Sequence, residues 1–182
     1  VWPGLAAFPD FTDPKARAWW GEKLKGFLEM GVAGLWLDMN EPALFAAWGE
    51  PTLPASARHA LEGQGGDHRL AHNRYGLLMA RASWEGFRKH APERRPFLLT
   101  RSGHAGVQRY AWAWTGDVES TWEGLRTTLR ALLGLSLSGV YFVGSDIGGF
   151  SGNPSPELYL RWFQMAALTP FFRLHAARWT KR

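Results

Sequence analysis

The chain has 182 residues, of which 46% are hydrophobic and 20% charged, and this balance excludes a disordered or fibrous protein. Its net charge of +5 comes from basic residues scattered among acidic ones, which disfavours nucleic-acid binding. No stretch approaches the roughly 18 continuous apolar residues of a membrane span, and residues 1–20 lack the pattern of a targeting signal. Because cysteine is absent, disulfides and thiolate metal sites are excluded, and the cytoplasm is the predicted compartment.

The first third of the chain predicts a helix, a buried strand and a long loop. Thr12 or Asp13 caps a helix that ends near Met30. The apolar run at 33–38 then predicts a short strand that is covered on both faces. Residues 42–66 form a polar excursion rich in proline and glycine. Its length predicts an active-site loop, because long structureless loops in compact domains are usually functional.

The rest of the chain alternates between amphipathic helices and short apolar strands that end in a charged residue. In chain order these elements are a helix at 72–90, a strand ending at Arg101, a strand ending at Asp117, a helix at 121–135, a strand ending at Asp146 and a helix at 156–168. Such alternation is typical of parallel strands joined by crossover helices.

The pattern therefore predicts an α/β fold, specifically a partial (β/α)8 TIM barrel with about four parallel strands. A complete barrel of this kind takes about 250 residues, so residues 1–182 are predicted to be the central portion of one catalytic barrel, incomplete at both ends. The carboxyl ends of barrel strands share one mouth, where catalytic residues gather. We expect Asp38, Arg101, Asp117 and Asp146 to line that mouth.

Carboxylates, an arginine and several tryptophans around one mouth suit a polyhydroxylated ring. Hydrolysis of a glycosidic bond needs one carboxyl group at the anomeric carbon and one that protonates the departing oxygen. Asp38 and Asp117 are the natural pair, although each aspartate could instead cap its next helix. Glu41 either braces the site by hydrogen bonding or sits at the N-terminus of a helix that Pro42 begins.

A hydrolytic metal centre is the competing interpretation, because barrels also assemble aspartate and histidine around metals. The six histidines show neither an HxH nor an HExxH pattern. His68 and His72 are four residues apart, but the preceding glycines predict a loop or a helix entry there. His175 could equally be a core histidine bonded to a carbonyl. We therefore predict that the site holds no metal.

Several motifs follow one another along the chain: FPDFTDPKARAWW, GLWLDMNEP, TRSGHAGVQRYAWAWTGD, GSDIGGF and RWFQMAALTPFFRLH. In residues and order they resemble glycoside hydrolase family 31, the family of α-glucosidases and α-xylosidases. The resemblance covers essentially the whole chain. It implies a retaining mechanism on a (β/α)8 barrel, without a metal or an organic cofactor.

The resemblance implies a role for each matching residue. Asp38 in DMNE matches the catalytic nucleophile, and Asp117 in WTGD matches the general acid/base. The residues that match the rest of the sugar subsite are Arg101, Asp146 and His175 for its hydroxyl contacts and Trp36, Met39, Trp114 and Phe150 for its walls. Glu41 is assigned a supporting role. Val118 stands where the family commonly has asparagine, so this chain lacks one local polar side chain of the family pattern but keeps the neighbouring carboxylate of Asp117.

Physical chemistry supports the two catalytic roles. In a retaining enzyme the paired carboxyl groups lie about 5–5.5 Å apart. Asp117, flanked by tryptophans and near an ionised Asp38, is expected to hold its proton until Asp38 is esterified and then to act as base. Arg101 helps to keep Asp38 ionised and can donate to sugar hydroxyls.

The implied activity is retaining hydrolysis of α-glycosidic bonds by an α-glucosidase that releases glucose from non-reducing ends. The expected ligand is an oligosaccharide or a small α-glucoside. Alternatives are α-xyloside cleavage, transglycosylation, lyase chemistry, or a non-catalytic sugar-binding module, which would require loss of one of the two aspartates. The isolated piece is expected to be inactive, because the remainder of the parent chain is needed to close the barrel and cover the sheet edges.

Overall fold

The computed structural model describes residues 3–45, 49 and 51–178. The chain divides into two compact units, Val1–Ala111 and Trp112–Arg182. Each unit contains parallel strands with helices packed beside them.

The first unit holds the elements that surround Asp38. In chain order, the described elements are α1 (Pro14–Lys23), α2 (Lys25–Glu29), β1 (Gly34–Leu37), β2 (Arg58–His59), a 3₁₀ turn (Leu61–Gly63), β3 (Gly66–Asp67), α3 (His68–His90), β4 (Phe97–Thr100) and a second 3₁₀ turn (Val107–Arg109).

Strands β1 and β4 form a parallel pair whose register sets the ends of both strands. Gly34 pairs with Phe97, and Leu37 pairs with Thr100. Because the two strands end at the same level, Asp38 and Arg101 emerge at the same edge. The prediction that the charged residues after these two strands come together is confirmed within the first unit.

The single helix predicted up to Met30 is two helices, α1 and α2. Asp13 caps α1, its side chain accepting a hydrogen bond from the Lys15 backbone nitrogen. The Leu24 backbone nitrogen donates a hydrogen bond to the carbonyl of Gly21, three residues earlier. This tightens the turn and interrupts the regular α-helical pattern.

The region between β1 and α3 is more ordered than its composition predicts. Strands β2 and β3 pair antiparallel inside the polar excursion, of which residues 46–48 and 50 lie outside the described residues. Helix α3 begins at His68, four residues earlier than predicted, because Asp67 caps it by accepting from the Arg69 backbone nitrogen. Of the two alternatives predicted for His68, a loop or a helix entry, the structure shows the helix entry, and His72 lies within the helix as predicted.

The second unit repeats the pattern of strand and helix. Its described elements are β5 (Trp112–Trp114), α4 (Trp122–Leu137), β6 (Val143–Asp146), α5 (Pro156–Ala166) and β7 (Phe171–Arg173). Strand β6 pairs in parallel with β5 on one side and β7 on the other. Thr121 and Ser155 cap α4 and α5 with their side chains. Trp162 on α5 is fully buried against Ile147 in the core of this unit.

Strand β7 is a parallel strand beyond those that the sequence predicted. Its three residues are too short to show a strand periodicity, and Pro170 directly precedes them. Pairing with β6 is what makes this segment a strand.

No helix within the described ranges combines the length and the apolar character needed to span a bilayer.

Close packing of α1 on α3 yields a stability prediction. A Cβ placed on Gly86 would lie 2.5 Å from the Gly21 Cα and 2.9 Å from the Gly21 carbonyl oxygen. Gly86→Ala therefore pushes the two helices apart, and we expect it to destabilise the fold by about 1–3 kcal/mol. The measurement is the thermal midpoint of the full-length protein.

Gly26→Ala is the matched control for that experiment. Gly26 lies in α2, and a Cβ there meets no atom within 4 Å. Alanine at this site is expected to be neutral or slightly stabilising because of its higher helix propensity. Equal midpoints for both variants would contradict the packing argument.

Candidate active site

The Asp38 carboxylate is held by the turn that follows β1. Its Oδ1 accepts a hydrogen bond of 2.8 Å from the backbone nitrogen of Met39. Met39 adopts φ 57°, the left-handed region that a residue with a side chain rarely occupies. The Asp38 side chain remains 36% exposed, so its carboxylate is both oriented and accessible.

Arg101 connects Asp38 to Glu41. Its Nε donates to Glu41 Oε1 at 2.7 Å, and its Nη1 lies 3.5 Å from Asp38 Oδ1. The Arg101 backbone nitrogen donates to the Leu37 carbonyl, which extends the pairing of β1 and β4 by one residue. The guanidinium therefore sits between two carboxylates and offsets their mutual repulsion.

Glu41 has the environment of a bracing residue. Residues 42–45 form no helix, so no helix dipole acts on Glu41. Its second carboxylate oxygen, Oε2, is buried and receives no hydrogen bond from the described residues. Among the described residues, Glu41 thus binds Arg101 through one oxygen, and its second oxygen is enclosed without a hydrogen bond.

Asn40 is a site residue that the sequence reasoning missed. Its side chain is 2% exposed and donates to Thr100 Oγ1 at 2.9 Å, while its Oδ1 accepts from the Ser102 backbone nitrogen at 3.0 Å. These bonds fasten the turn after β1 to the turn after β4. The DMNE motif contains this residue, but residue type alone does not reveal which of its polar members is buried.

The predicted apolar walls of the first unit differ in exposure. Trp36 is 49% exposed, whereas Met39 is half-buried. Trp36 and Asp38 also line a cavity of about 400 Å³ whose other lining residues are largely apolar, including Trp20 and Phe27. An apolar surface therefore adjoins the carboxylate.

Asp117 lies three residues after β5 and is exposed. The loop that carries it is tied to the loop after β6, because the Phe150 backbone nitrogen donates to the Val118 carbonyl at 2.7 Å. Thr115 continues the pairing of β5 with β6 through a bond from its nitrogen to the Gly144 carbonyl. The predicted acid/base residue is thus exposed on a braced loop.

Asp146 is fully buried at the end of β6 and is paired with Arg173 on β7. Both Nε and Nη2 of Arg173 donate to Asp146 Oδ1, at 3.0 and 2.7 Å. Burial raises the pKa of Asp146, the charges of Arg173 and His175 lower it in part, and nearby Asp117 adds to the increase. The pKa of Asp146 is therefore above its ordinary value.

Arg173 is a second residue that the sequence reasoning missed. Besides binding Asp146, its guanidinium lies 5.1 Å from the ring centroid of Trp114, a cation–π contact. Trp114, predicted as a wall of the sugar subsite, is buried at this contact. Recognition of PFFR as a strand would have placed Arg173 beside Asp146.

His175 stacks on Phe150, with ring centroids 5.4 Å apart and an angle of 24° between the planes. The Ala177 backbone nitrogen donates to the Phe150 carbonyl, which fixes the segment after β7 against the loop after β6. Both rings are half-buried. The predicted hydroxyl-binding histidine and the predicted wall residue are therefore neighbours.

Each unit brings together a subset of the predicted residues. The first gathers Asp38, Glu41 and Arg101, and the second gathers Asp117 and Asp146 with their neighbours. The separation of 5–5.5 Å expected between the catalytic aspartates stays a prediction. Among the described residues, no group of three or more His, Asp or Glu side chains is arranged to hold a metal ion.

A family model described as the glycosyl hydrolases family 31 TIM-barrel domain matches residues 1–182. The chain belongs to glycoside hydrolase family 31. The family resemblance predicted from the motifs is confirmed, as is the partial TIM barrel as the fold class. The parallel strands of both units are strands of that barrel domain.

Family 31 relatives share sequence along nearly all of the chain. Alpha-glucosidase 2 of Bacillus thermoamyloliquefaciens is 48% identical over 177 residues, which cover 97% of this chain and 22% of the relative. Human neutral alpha-glucosidase C is 44% identical over 185 residues, covering 100% and 20%. The crystal structure of the family 31 alpha-glucosidase from Bacteroides thetaiotaomicron superposes with a TM-score of 0.84 at 44% identity, covering 100% and 28%. The chain spans about a fifth of the length of these curated relatives.

The buried pair of Asp146 and Arg173 gives a prediction for this family 31 domain. Arg173→Met leaves the buried carboxylate without its cation, so we expect a loss of about 3–5 kcal/mol of stability at neutral pH. The folded-state pKa of Asp146 is already raised, and losing the cation raises it further. The loss therefore shrinks as the pH falls and the carboxyl group becomes protonated in the folded state.

Chemical unfolding of the full-length protein at several pH values measures this loss. The matched control is Arg161→Met, because Arg161 pairs with Glu157 on the surface and the two side chains are 52% and 65% exposed. Such a pair contributes about 0–1 kcal/mol. Similar losses for the two variants would contradict the assignment of a buried ion pair.

Proposed function

We propose that the protein containing these residues is a retaining α-glucosidase that releases glucose from the non-reducing ends of α-glucosides. Membership of family 31 and the names of the relatives support this activity. The observation that carries the proposal is the Asp38 carboxylate, which stands oriented and accessible at the carboxyl end of a barrel strand beside Arg101.

The first chemical step forms a covalent intermediate. An oxygen of Asp38 attacks the anomeric carbon and forms an ester bond as the bond to the glycosidic oxygen breaks. Asp117 transfers its proton to that departing oxygen, so the aglycone leaves as a neutral alcohol. The exposed position of Asp117 on a braced loop is consistent with this exchange of protons.

The second step hydrolyses the intermediate. Asp117, now a carboxylate, takes a proton from water while the water oxygen bonds to the anomeric carbon. The ester bond to Asp38 breaks, and its carboxylate is restored. Two displacements at the same carbon return the product to the α configuration.

The remaining site residues bind and orient the sugar in this proposal. Arg101 balances the charge of Asp38 and donates to sugar hydroxyls, while Glu41 holds the guanidinium in place. Asp146 binds a sugar hydroxyl in this proposal. Its Oδ1 accepts from Arg173, whereas its buried Oδ2 receives no hydrogen bond from the described residues. The ring of His175 stacks on the ring of Phe150, which lies in the loop after β6.

Asp38→Ala tests the nucleophile. With an activated aryl α-glucoside we expect a loss of activity of at least about a thousandfold, because no covalent intermediate forms. Added azide is expected to restore turnover by direct attack and to yield the β-glucosyl azide. Product configuration is read by NMR on the full-length protein.

Asp117→Ala is the matched variant of the second aspartate. Here the ester with Asp38 still forms, and azide replaces the water in the second step, so the α-glucosyl azide is expected. The same azide anomer from both variants would contradict the two assigned roles. Activity that a chelator abolishes would favour the competing metal centre instead.

Sugar preference is tested on a panel of aryl α-glucosides and α-xylosides. We expect the glucoside to have the higher kcat/KM. A preference for the xyloside would replace the proposed substrate while keeping the mechanism. An unsaturated product would reveal lyase chemistry, and binding without turnover would indicate a non-catalytic module. A cytoplasmic location stays a prediction.

A further inference from the structure

A series of hydrogen-bonded polar side chains, two of them buried histidines, runs through the first unit. Asp10 Oδ1 lies 2.9 Å from His59 Nδ1, and His59 Nε2 lies 3.0 Å from His68 Nδ1. His68 Nε2 in turn lies 3.2 Å from Thr52 Oγ1 and 3.1 Å from His72 Nδ1. None of these residues takes part in the mechanism proposed above.

The two central histidines are buried, which distinguishes this chain from a surface cluster. His68 is 3% exposed and His59 is 7% exposed, and their rings stack at a centroid distance of 5.2 Å. Buried imidazoles are stabilised by hydrogen bonds at both nitrogens. Here both nitrogens of each ring have a partner, so the rings are held in fixed orientations.

This series of hydrogen bonds begins at the ionised carboxylate of Asp10. Burial raises the pKa of Asp10, but hydrogen bonds from the Ala60 backbone, Thr12 and His59 outweigh it and hold that pKa below its usual range. Burial, together with the charges of His72 and His59, lowers the pKa of His68 to about 4, although Asp67 opposes this shift. His68 is therefore neutral near pH 7 and has one N–H and one acceptor nitrogen.

Thr52 determines which His68 nitrogen carries the hydrogen. The Thr52 hydroxyl donates to the Pro42 carbonyl at 2.7 Å, so its oxygen acts as acceptor toward His68. His68 then donates from Nε2 and accepts at Nδ1 from His59 Nε2. His59 Nδ1 in turn faces Asp10 Oδ1, so the series of hydrogen bonds from Thr52 ends at that carboxylate.

Thr52, at the other end of this series of hydrogen bonds, is linked to the candidate nucleophile Asp38 through the backbone at Pro42. Pro42 is fully buried and directly follows Glu41. Glu41 holds Arg101, and Arg101 lies beside Asp38. The bond from Thr52 to the Pro42 carbonyl therefore fixes the base of the turn that presents these charged groups.

We propose that Thr52 is a positioning residue for the Asp38 turn and that His68, anchored through His59 on Asp10, orients its hydroxyl toward Pro42. This inference rests on the proposed function of Asp38. The role of Thr52 is indirect. Thr52 fixes the positions of Glu41 and Arg101, and these two residues fix the position of the Asp38 carboxylate. A small displacement of a catalytic group is enough to slow chemistry without weakening substrate binding.

Thr52→Val tests the proposal because it removes the hydroxyl and keeps the shape. We expect kcat of the full-length protein to fall about fivefold, which corresponds to the loss of one hydrogen bond. KM is expected to change less than about twofold. Thr52→Ser restores the hydroxyl and is expected to recover most of kcat. The control is Thr127→Val, because Thr127 lies exposed on α4, and it should leave kcat unchanged.

A pair of His68 variants separates the two ends of the chain. Glutamine places its amide near Nε2 and keeps the bond to Thr52, whereas asparagine reaches only the position of Nδ1 and the bond to His59. We expect His68→Asn to lower kcat as Thr52→Val does and His68→Gln to lower it less. Thermal midpoints of all variants are measured in parallel to separate misfolding from mispositioning.

The outcomes distinguish this inference from the proposed function. Thr52→Val with unchanged kcat, or equal kcat for His68→Asn and His68→Gln, would overturn the positioning role. Equal kcat losses in Thr52→Ser and Thr52→Val would also overturn it. Wild-type protein without α-glucosidase activity, or an active Asp38→Ala variant, would instead refute the proposed function.

Discussion

The parallel pairing of β1 with β4 is the constraint on which the Asp38 side of the site depends. Its register aligns Leu37 with Thr100, so the two strands end together. Asp38 directly follows β1 and Arg101 directly follows β4. Their side chains therefore lie at the same edge of the strand pair. Asn40, buried between the two turns, then fixes the geometry that the pairing creates.

The second unit uses the same constraint for a different purpose. Pairing of β6 with β7 places Arg173 beside Asp146, but this carboxylate is buried and its ion pair is internal. Desolvation of both charges opposes such a pair, and two charge-assisted hydrogen bonds offset that cost. Asp117 remains exposed on its loop. Burial thus distinguishes the enclosed carboxylate of Asp146 from the solvent-exposed carboxylate of Asp117.

Prediction from sequence succeeded where one residue's pattern was enough. The apolar runs located β1, β4, β5 and β6, and capping residues such as Asp13 located helix starts. It failed for β7, whose three residues become a strand only by pairing. It also placed the start of α3 at His72 instead of His68, because the capping residue Asp67 directly follows two glycines. The missed strand is a short segment whose structure depends on its pairing partner.

The sequence by itself determined the barrel class, the family and the identity of the candidate catalytic aspartates, because strand ends and motifs are local properties of the chain. The tertiary structure alone decided that Asn40 is buried, that Arg173 binds Asp146, and that the histidine chain reaches Thr52. These contacts join residues far apart along the chain. Their hydrogen bonds depend on distances of about 3 Å, which strand register and helix packing set.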